Sequence, residues 1–223
     1  RYYGLLFAMT ILIGYKLFQK HLEKEGYPEK VTEKFLLIGT LATVVGARLG
    51  HCFFYEDAFF YLTHPLELIA VWKGGLASHG ATIGLILAAV YFSKTRKIHF
   101  FRVADAIVLA ASVGSAFVRI GNFMNSEIVG RITDVPWAVK FLRYDNNFRH
   151  PSQLYEAFGG FLILAILLIV DKKTKKGTRG ILTSIFLMGY FTFRFLIEFV
   201  KEYQTLSTGL TMGQWLSIPF VLI

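Results

Sequence analysis

Cysteine is almost missing from this sequence. Cys52 stands alone, which excludes an internal disulfide and any cysteine-built metal cluster. Charge is scarce too: only 17% of the 223 residues are Asp, Glu, Lys or Arg. A soluble domain carries about a quarter, so a water-facing surface in the usual proportions is excluded. The aspartates Asp57, Asp105, Asp134, Asp145 and Asp171 are scattered and form none of the dense clusters that hold catalytic cations. Ser78 adjoins His79 in sequence, a poor geometry for a serine–histidine hydrolase. No repeat of the kind that builds many transporters is visible.

What is abundant is apolar sequence, 54% of the chain with a mean hydropathy of +0.50. A membrane helix needs roughly 20 mostly apolar residues to cross about 30 Å of hydrocarbon. Spans are expected near residues 3–18, 35–55, 76–92, 103–118, 154–170, 181–200 and 210–223. The fold class is therefore an all-α integral membrane protein, a single polytopic domain (1–223) of about seven transmembrane helices. Ala58–Trp72 is apolar but interrupted by His64, Pro65 and Glu67, and is expected to lie in the outer interface or re-enter. The chain opens on Arg1 and stops within an apolar run, so both ends are expected to be trimmed.

The net charge of +9 follows the loops. Lys20, Lys24, Lys30 and Lys34 follow the first span, Lys94, Arg96, Lys97 and Arg102 the third, and Lys172, Lys173, Lys175, Lys176 and Arg179 the fifth. Basic residues mark cytoplasmic loops, which puts the N-terminus outside and the end of the seventh span inside. The long loop after span four, with Arg119, Arg131, Lys140, Arg143 and Arg149, is the exception. The charge is topological, and no nucleic-acid partner is expected.

Ionisable side chains inside spans are expensive and need a reason. Gly74-Gly75-Leu76-Ala77-Ser78-His79-Gly80-Ala81-Thr82-Ile83-Gly84 opens span three with a histidine among small residues. Gly80 and Gly84 suit either close helix packing or the approach of a lipid. Arg119-Ile120-Gly121-Asn122-Phe123-Met124-Asn125-Ser126-Glu127-Ile128-Val129-Gly130-Arg131 crowds two Arg, two Asn and a Glu against an apolar span. On a helix Arg119 and Asn122 share a face, and a guanidinium fork suits phosphate. Tyr190, Arg194 and Glu198 form a polar stripe at i,i+4,i+8 in span six, read either as a structural ion pair or as an anion site whose arginine Glu198 holds. Arg48 and the string Arg149–Glu156 are weaker signals. Pro151 and Glu156 also suit the first turn of a helix. Together these groups fit an anionic lipid headgroup near one membrane face.

These strings resemble the phosphatidylglycerol–prolipoprotein diacylglyceryl transferase family. Arg119–Arg131 looks like its R-I-G-N-F-x-N-x-E-x-x-G-R signature, and Trp72–Gly80 is similar to its W-x-G-G-x-x-x-H-G element. Arg149–Glu156 matches R-H-P-S-Q-L-Y-E, and Arg194–Phe199 resembles its late arginine–glutamate element. The matches run in order along essentially the whole chain. The resemblance implies a seven-helix enzyme of the bacterial inner membrane, with its active site toward the outer face. The cysteine thiol of a preprolipoprotein lipobox would attack the glyceryl carbon of phosphatidylglycerol, a thioether would form and glycerol 1-phosphate would leave, with no metal or cofactor.

Carried over by position, Arg119 and Arg194 would bind and polarise the phosphate, and His79 would take the essential histidine position as base or as orienting group. Tyr3, Asp105, Asn122, Asn125, Glu127, Gly130, Tyr190 and Glu198 would bind substrate. The partners implied are phosphatidylglycerol, lipobox signal peptides and membrane lipids. The sequence departs from the pattern at Gly75-Leu76-Ala77-Ser78, where glycine-methionine-serine is usual, and at Ser126, where glycine precedes the glutamate. A transporter, or another lipid-headgroup enzyme, is the alternative that the residue chemistry alone leaves open.

Overall fold

The computed structural model describes residues 2–202 and 209–221, without the side chains of Tyr2, Tyr3, Ala58, Met212 and Val221. It is mostly helical. The long helices are α1 (Tyr2–Lys24), α2 (Glu29–Phe54), α5 (Ser78–Arg96), α6 (Phe100–Asn125), α7 (Ser152–Lys173) and α8 (Ile181–Ile197). Shorter ones are α3 (Ala58–Thr63), α4 (Pro65–Ile69) and α9 (Met212–Val221). Strands β1 (Val139–Lys140) and β2 (Phe148–Arg149) pair antiparallel, with Val139 opposite Arg149.

Among the described residues, four helices are long and apolar enough to cross a membrane: Glu29–Phe54, Phe100–Asn125, Ser152–Lys173 and Ile181–Val200. Large apolar side chains point outward along the helices, among them Leu12, Leu37, Leu87 and Phe158, each at least 62% exposed. Charged and polar groups are buried instead, including Asp105, Gln153, Glu198 and Lys201, none above 2% exposed. That inverted distribution is the one a hydrocarbon solvent selects. The chain is a membrane protein.

Contacts divide it into two compact units, Gly26–Ala104 and the remainder, Arg1–Glu25 with Asp105–Ile223. In the first, α2 and α5 meet backbone to backbone. A Cβ on Gly80 would fall onto the Gly46 carbonyl and within 2.9 Å of the Gly50 Cα, and one on Gly84 would fall onto the Ala42 carbonyl. Gly80 and Gly84 are thus filled by helix packing, which removes the lipid passage that small residues also suggested. The segment between α2 and α5 breaks into α3, α4 and a 3-10 turn at Val71–Lys73. Arg48, buried in α2, ties it down by donating to the carbonyls of Glu67, Leu68, Gly74 and Gly75. That arginine is structural, and the hydrogen bonds it donates to these carbonyls offset the cost of burying it.

In the other unit, α6, α7 and α8 surround a core of Val108, Leu109, Ile163, Leu167 and Leu182. Small residues bring the helices close. Gly160 lies against Ser115 and Ala116 of α6, and Gly159 against the Phe193 ring of α8. Asp105 accepts from the backbone N–H groups of Gly180 and Thr183 and from the Thr183 hydroxyl. A carboxylate there satisfies the orphan donors that open α8.

Candidate active site

The site is built from the end of α6. The helix closes in a Schellman motif: Glu127 N–H donates to the Asn122 carbonyl at 2.9 Å and Ser126 N–H to the Phe123 carbonyl at 3.1 Å. Ser126 is left-handed at φ 60, a conformation that glycine adopts without a Cβ penalty. The preference for glycine there has this cause, and serine carries the strain. The turn folds Glu127 back, where it accepts from Asn122 Nδ2 at 2.8 Å and Asn125 Nδ2 at 3.2 Å. Asn122 Oδ1 in turn accepts from Arg119 Nη1 at 3.4 Å. The signature is therefore one hydrogen-bonded relay that begins at Arg119.

Arg119 and Arg194 line one cleft with Ser115, Glu156, Gly159, Gly160, Ile163, Tyr190 and Phe193. Glu156 Oε2 lies 3.0 Å from Arg119 Nε, and its other oxygen is 2.6 Å from Lys201 Nζ. Lys201 also faces Glu198 at 3.8 Å, and Glu198 faces Arg194 Nη2 at 3.6 Å. Glu198 further accepts from the Thr211 hydroxyl at 3.0 Å. In the Tyr190–Arg194–Glu198 stripe the ion pair exists, and its arginine borders the cleft. Burial holds the Lys201 ammonium below the usual lysine range, and the adjacent Glu156 carboxylate opposes that fall. Tyr190 stacks on Phe186, ring centroids 5.5 Å apart, and presents an aromatic wall.

The loop after α6 is pinned to this cluster. Gly130 N–H donates to the His150 carbonyl at 3.1 Å, and Gly130 bridges Lys201. A Cβ there would fall onto His150 and lie 2.9 Å from the Val200 carbonyl, so Gly130 serves a backbone crossing. Arg149, 4% exposed, donates to the Gly130 carbonyl and pairs with Asp145 and Glu202. The hydrogen bonds from Arg149 hold the Asp145 carboxyl down at about 2, against an ordinary 3.8.

A lowered folded-state value means that this pair supports the loop above the ordinary pKa and is lost as pH falls through about 2. Pepsin cleavage between Val139 and Arg149, measured relative to Asp145→Asn at each pH, should rise between pH 4 and 2. Equal ratios at both values would refute the pair's role.

Not every expected residue joins the cleft. Asp105 lies fourteen residues before Arg119 on α6, about 21 Å at 1.5 Å per residue, and its contacts are those of the α8 cap. His79 belongs to the Gly26–Ala104 unit, exposed in the first turn of α5, with Nδ1 3.3 Å from the Tyr55 hydroxyl. Tyr3 lies in the first turn of α1, and its side chain lies outside the described ones. Glu156 reverses an expectation. Its place beyond the first turn of α7 makes it the partner of Arg119 rather than a helix-start residue. Lys201 and the Gly159–Gly160 floor were missed, because a lysine after a span and two small residues within one carry no distinctive spacing.

Comparison with known proteins identifies the family. The family model described as prolipoprotein diacylglyceryl transferase matches residues 1–223. A protein of Tolumonas auensis named phosphatidylglycerol–prolipoprotein diacylglyceryl transferase is 43% identical over 225 residues, 99% of this chain and 87% of its own length. Proteins of the same name from Chloroherpeton thalassium and Bacteroides fragilis are 45% and 41% identical, over 100% of this chain and 85% and 86% of theirs. The chain belongs to the prolipoprotein diacylglyceryl transferase family.

Proposed function

We propose that this protein transfers the diacylglyceryl group of phosphatidylglycerol to the lipobox cysteine of preprolipoproteins, the first step of lipoprotein maturation. The observation that carries this reading is the cleft in which Arg119 and Arg194 share apolar walls with Gly159, Gly160, Ile163 and Phe193. Such a cleft pairs charge for a phosphodiester with an apolar bed for the glyceryl carbons beside it.

In the reaction, the cysteine sulfur bonds to the glyceryl carbon while that carbon's bond to phosphate oxygen breaks. The phosphodiester carries one negative charge, and the departing glycerol 1-phosphate gains a second as it leaves. The two guanidiniums therefore bind the transition state better than the lipid, which is the condition for catalysis. The thiol, with an ordinary pKa near 8.5, must lose its proton to become a good nucleophile. His79 is the group proposed to accept or orient that proton. Asn122, Asn125 and Glu127 keep Arg119 aimed, Glu198 aims Arg194, and Tyr3 and Tyr190 contact substrate.

The proposal extends to topology. The seven expected helices form one membrane domain in the bacterial inner membrane, N-terminus outside, with α3 and α4 at the outer interface. Use of Arg149 and Arg131 as structural ties supports this orientation, since those charges then serve folding in an outer loop.

The test is a detergent-micelle reaction of purified protein with phosphatidylglycerol and a synthetic lipobox peptide. A gain of one diacylglyceryl mass on the peptide cysteine, absent with phosphatidylcholine, is expected. No gain from well-folded, full-length protein would overturn the proposal.

A further inference from the structure

The charges at the cleft alternate along a line whose middle is buried: Arg119, Glu156, Lys201, Glu198, Arg194, each within 3.8 Å of the next. Glu156 and Glu198 anchor the two arginines, but a carboxylate on each would cancel the positive charge that an anionic lipid needs. Three cations less two carboxylates leave one positive charge on this line. Without Lys201, two cations less two carboxylates leave none. Lys201 is 1% exposed, so it lies beneath the cleft and reaches no lipid. Its backbone is fixed by the bridge to Gly130 and by Arg131 Nε donating to its carbonyl at 2.9 Å.

We propose that Lys201 is a positioning residue that sets the charge of the cleft: by serving both carboxylates at once, it lets them hold the arginines without neutralising the site. The surplus of one positive charge matches the single negative charge of a phosphodiester. A zwitterionic headgroup, which brings its own cation, finds no such match. Lys201 thus confers selectivity for anionic over zwitterionic lipid. This rests on the lipid-transferase reading above, in which the two arginines hold the phosphate.

The experiment is equilibrium binding of phosphatidylglycerol and of phosphatidylcholine, each in mixed micelles, to full-length protein. Lys201→Met should weaken phosphatidylglycerol binding about tenfold, the scale of one charge acting over several ångströms at intermediate dielectric, and remove the preference over phosphatidylcholine. Lys201→Arg should keep both affinity and preference. The decisive variant is the double substitution Glu156→Gln with Lys201→Met. It restores one surplus positive charge, counted as Arg119 and Arg194 less Glu198, and should recover the preference that Lys201→Met loses.

A purely structural lysine predicts the opposite, a double variant no better than the single. If Lys201→Met does not fold, the double variant decides alone: retained preference supports the proposal and lost preference overturns it. Wild-type protein that prefers phosphatidylglycerol yet modifies no lipobox peptide would sink the transferase reading while the charge-setting role stands. Wild-type protein with no headgroup preference would sink the role itself.

Discussion

Arg119→Ala and Arg194→Ala are each expected to lower kcat/KM for diacylglyceryl transfer by about 10²–10³-fold, the usual cost of removing one donor from a preorganised anion site. The loss should fall on kcat more than on KM, because the second negative charge on the leaving phosphate exists only beyond the ground state. The two positions should answer differently to lysine. Arg119 engages two partners in two directions, Glu156 through Nε and Asn122 through Nη1. A lysine offers one point charge on a flexible stem, so Arg119→Lys should stay close to Arg119→Ala. Arg194 faces Glu198 through a single nitrogen at 3.6 Å, and Arg194→Lys should recover part of the rate. Intact-mass kinetics on the lipobox peptide measure both. Full activity in either alanine variant would remove that arginine from the chemistry.

Gly80→Leu is expected to prevent folding. The atoms in the way are backbone, the Gly46 carbonyl and the Gly50 Cα, and backbone cannot rotate aside as a side chain can. The helices α2 and α5 would have to part, losing the contacts that small residues make possible in a membrane. Even Gly80→Ala should cost about 1–3 kcal/mol, the range for overpacking a tight contact. Gly4→Ala is the control, since a Cβ there meets nothing within 4 Å. Thermal melting in detergent, with recovery of monodisperse protein, reads the difference. A Gly80→Leu protein that melts like wild type but turns lipid over slowly would instead restore the lipid-passage reading of this stripe.

Sequence reading and structure part company at identifiable places. Helices form where apolar runs leave the backbone no partner but itself, and among the described residues four of them are long and apolar enough to cross a membrane. The interruption at His64, Pro65 and Glu67 does break the chain into short helices, where proline opens α4. Ser126 was legible as a departure from pattern, and its left-handed backbone gives the physical cause. Asp105 was not legible. A carboxylate near the start of a span looks the same whether it meets substrate or the amides of another helix 75 residues away. Glu156 was obscured by local statistics, since a glutamate after Pro-Ser suits a helix start whatever it finally touches.

Composition, periodicity and motif order were enough to identify a helical membrane protein and its family, and to mark Arg119 and Arg194 as the residues of most interest. These properties are local or one-dimensional: apolar length sets the spans, and a run of thirteen residues carries its own hydrogen-bonding groups. Only the tertiary structure decided which charge answers which. Glu156 comes from α7 and Glu198 and Lys201 from the segment just after α8, and their alternation exists only once these segments pack. Likewise, whether Gly80 faces lipid or a neighbouring carbonyl depends on α2, some 34 residues earlier in the chain. Charge pairing and close packing depend on distance in space, and sequence separation does not encode it.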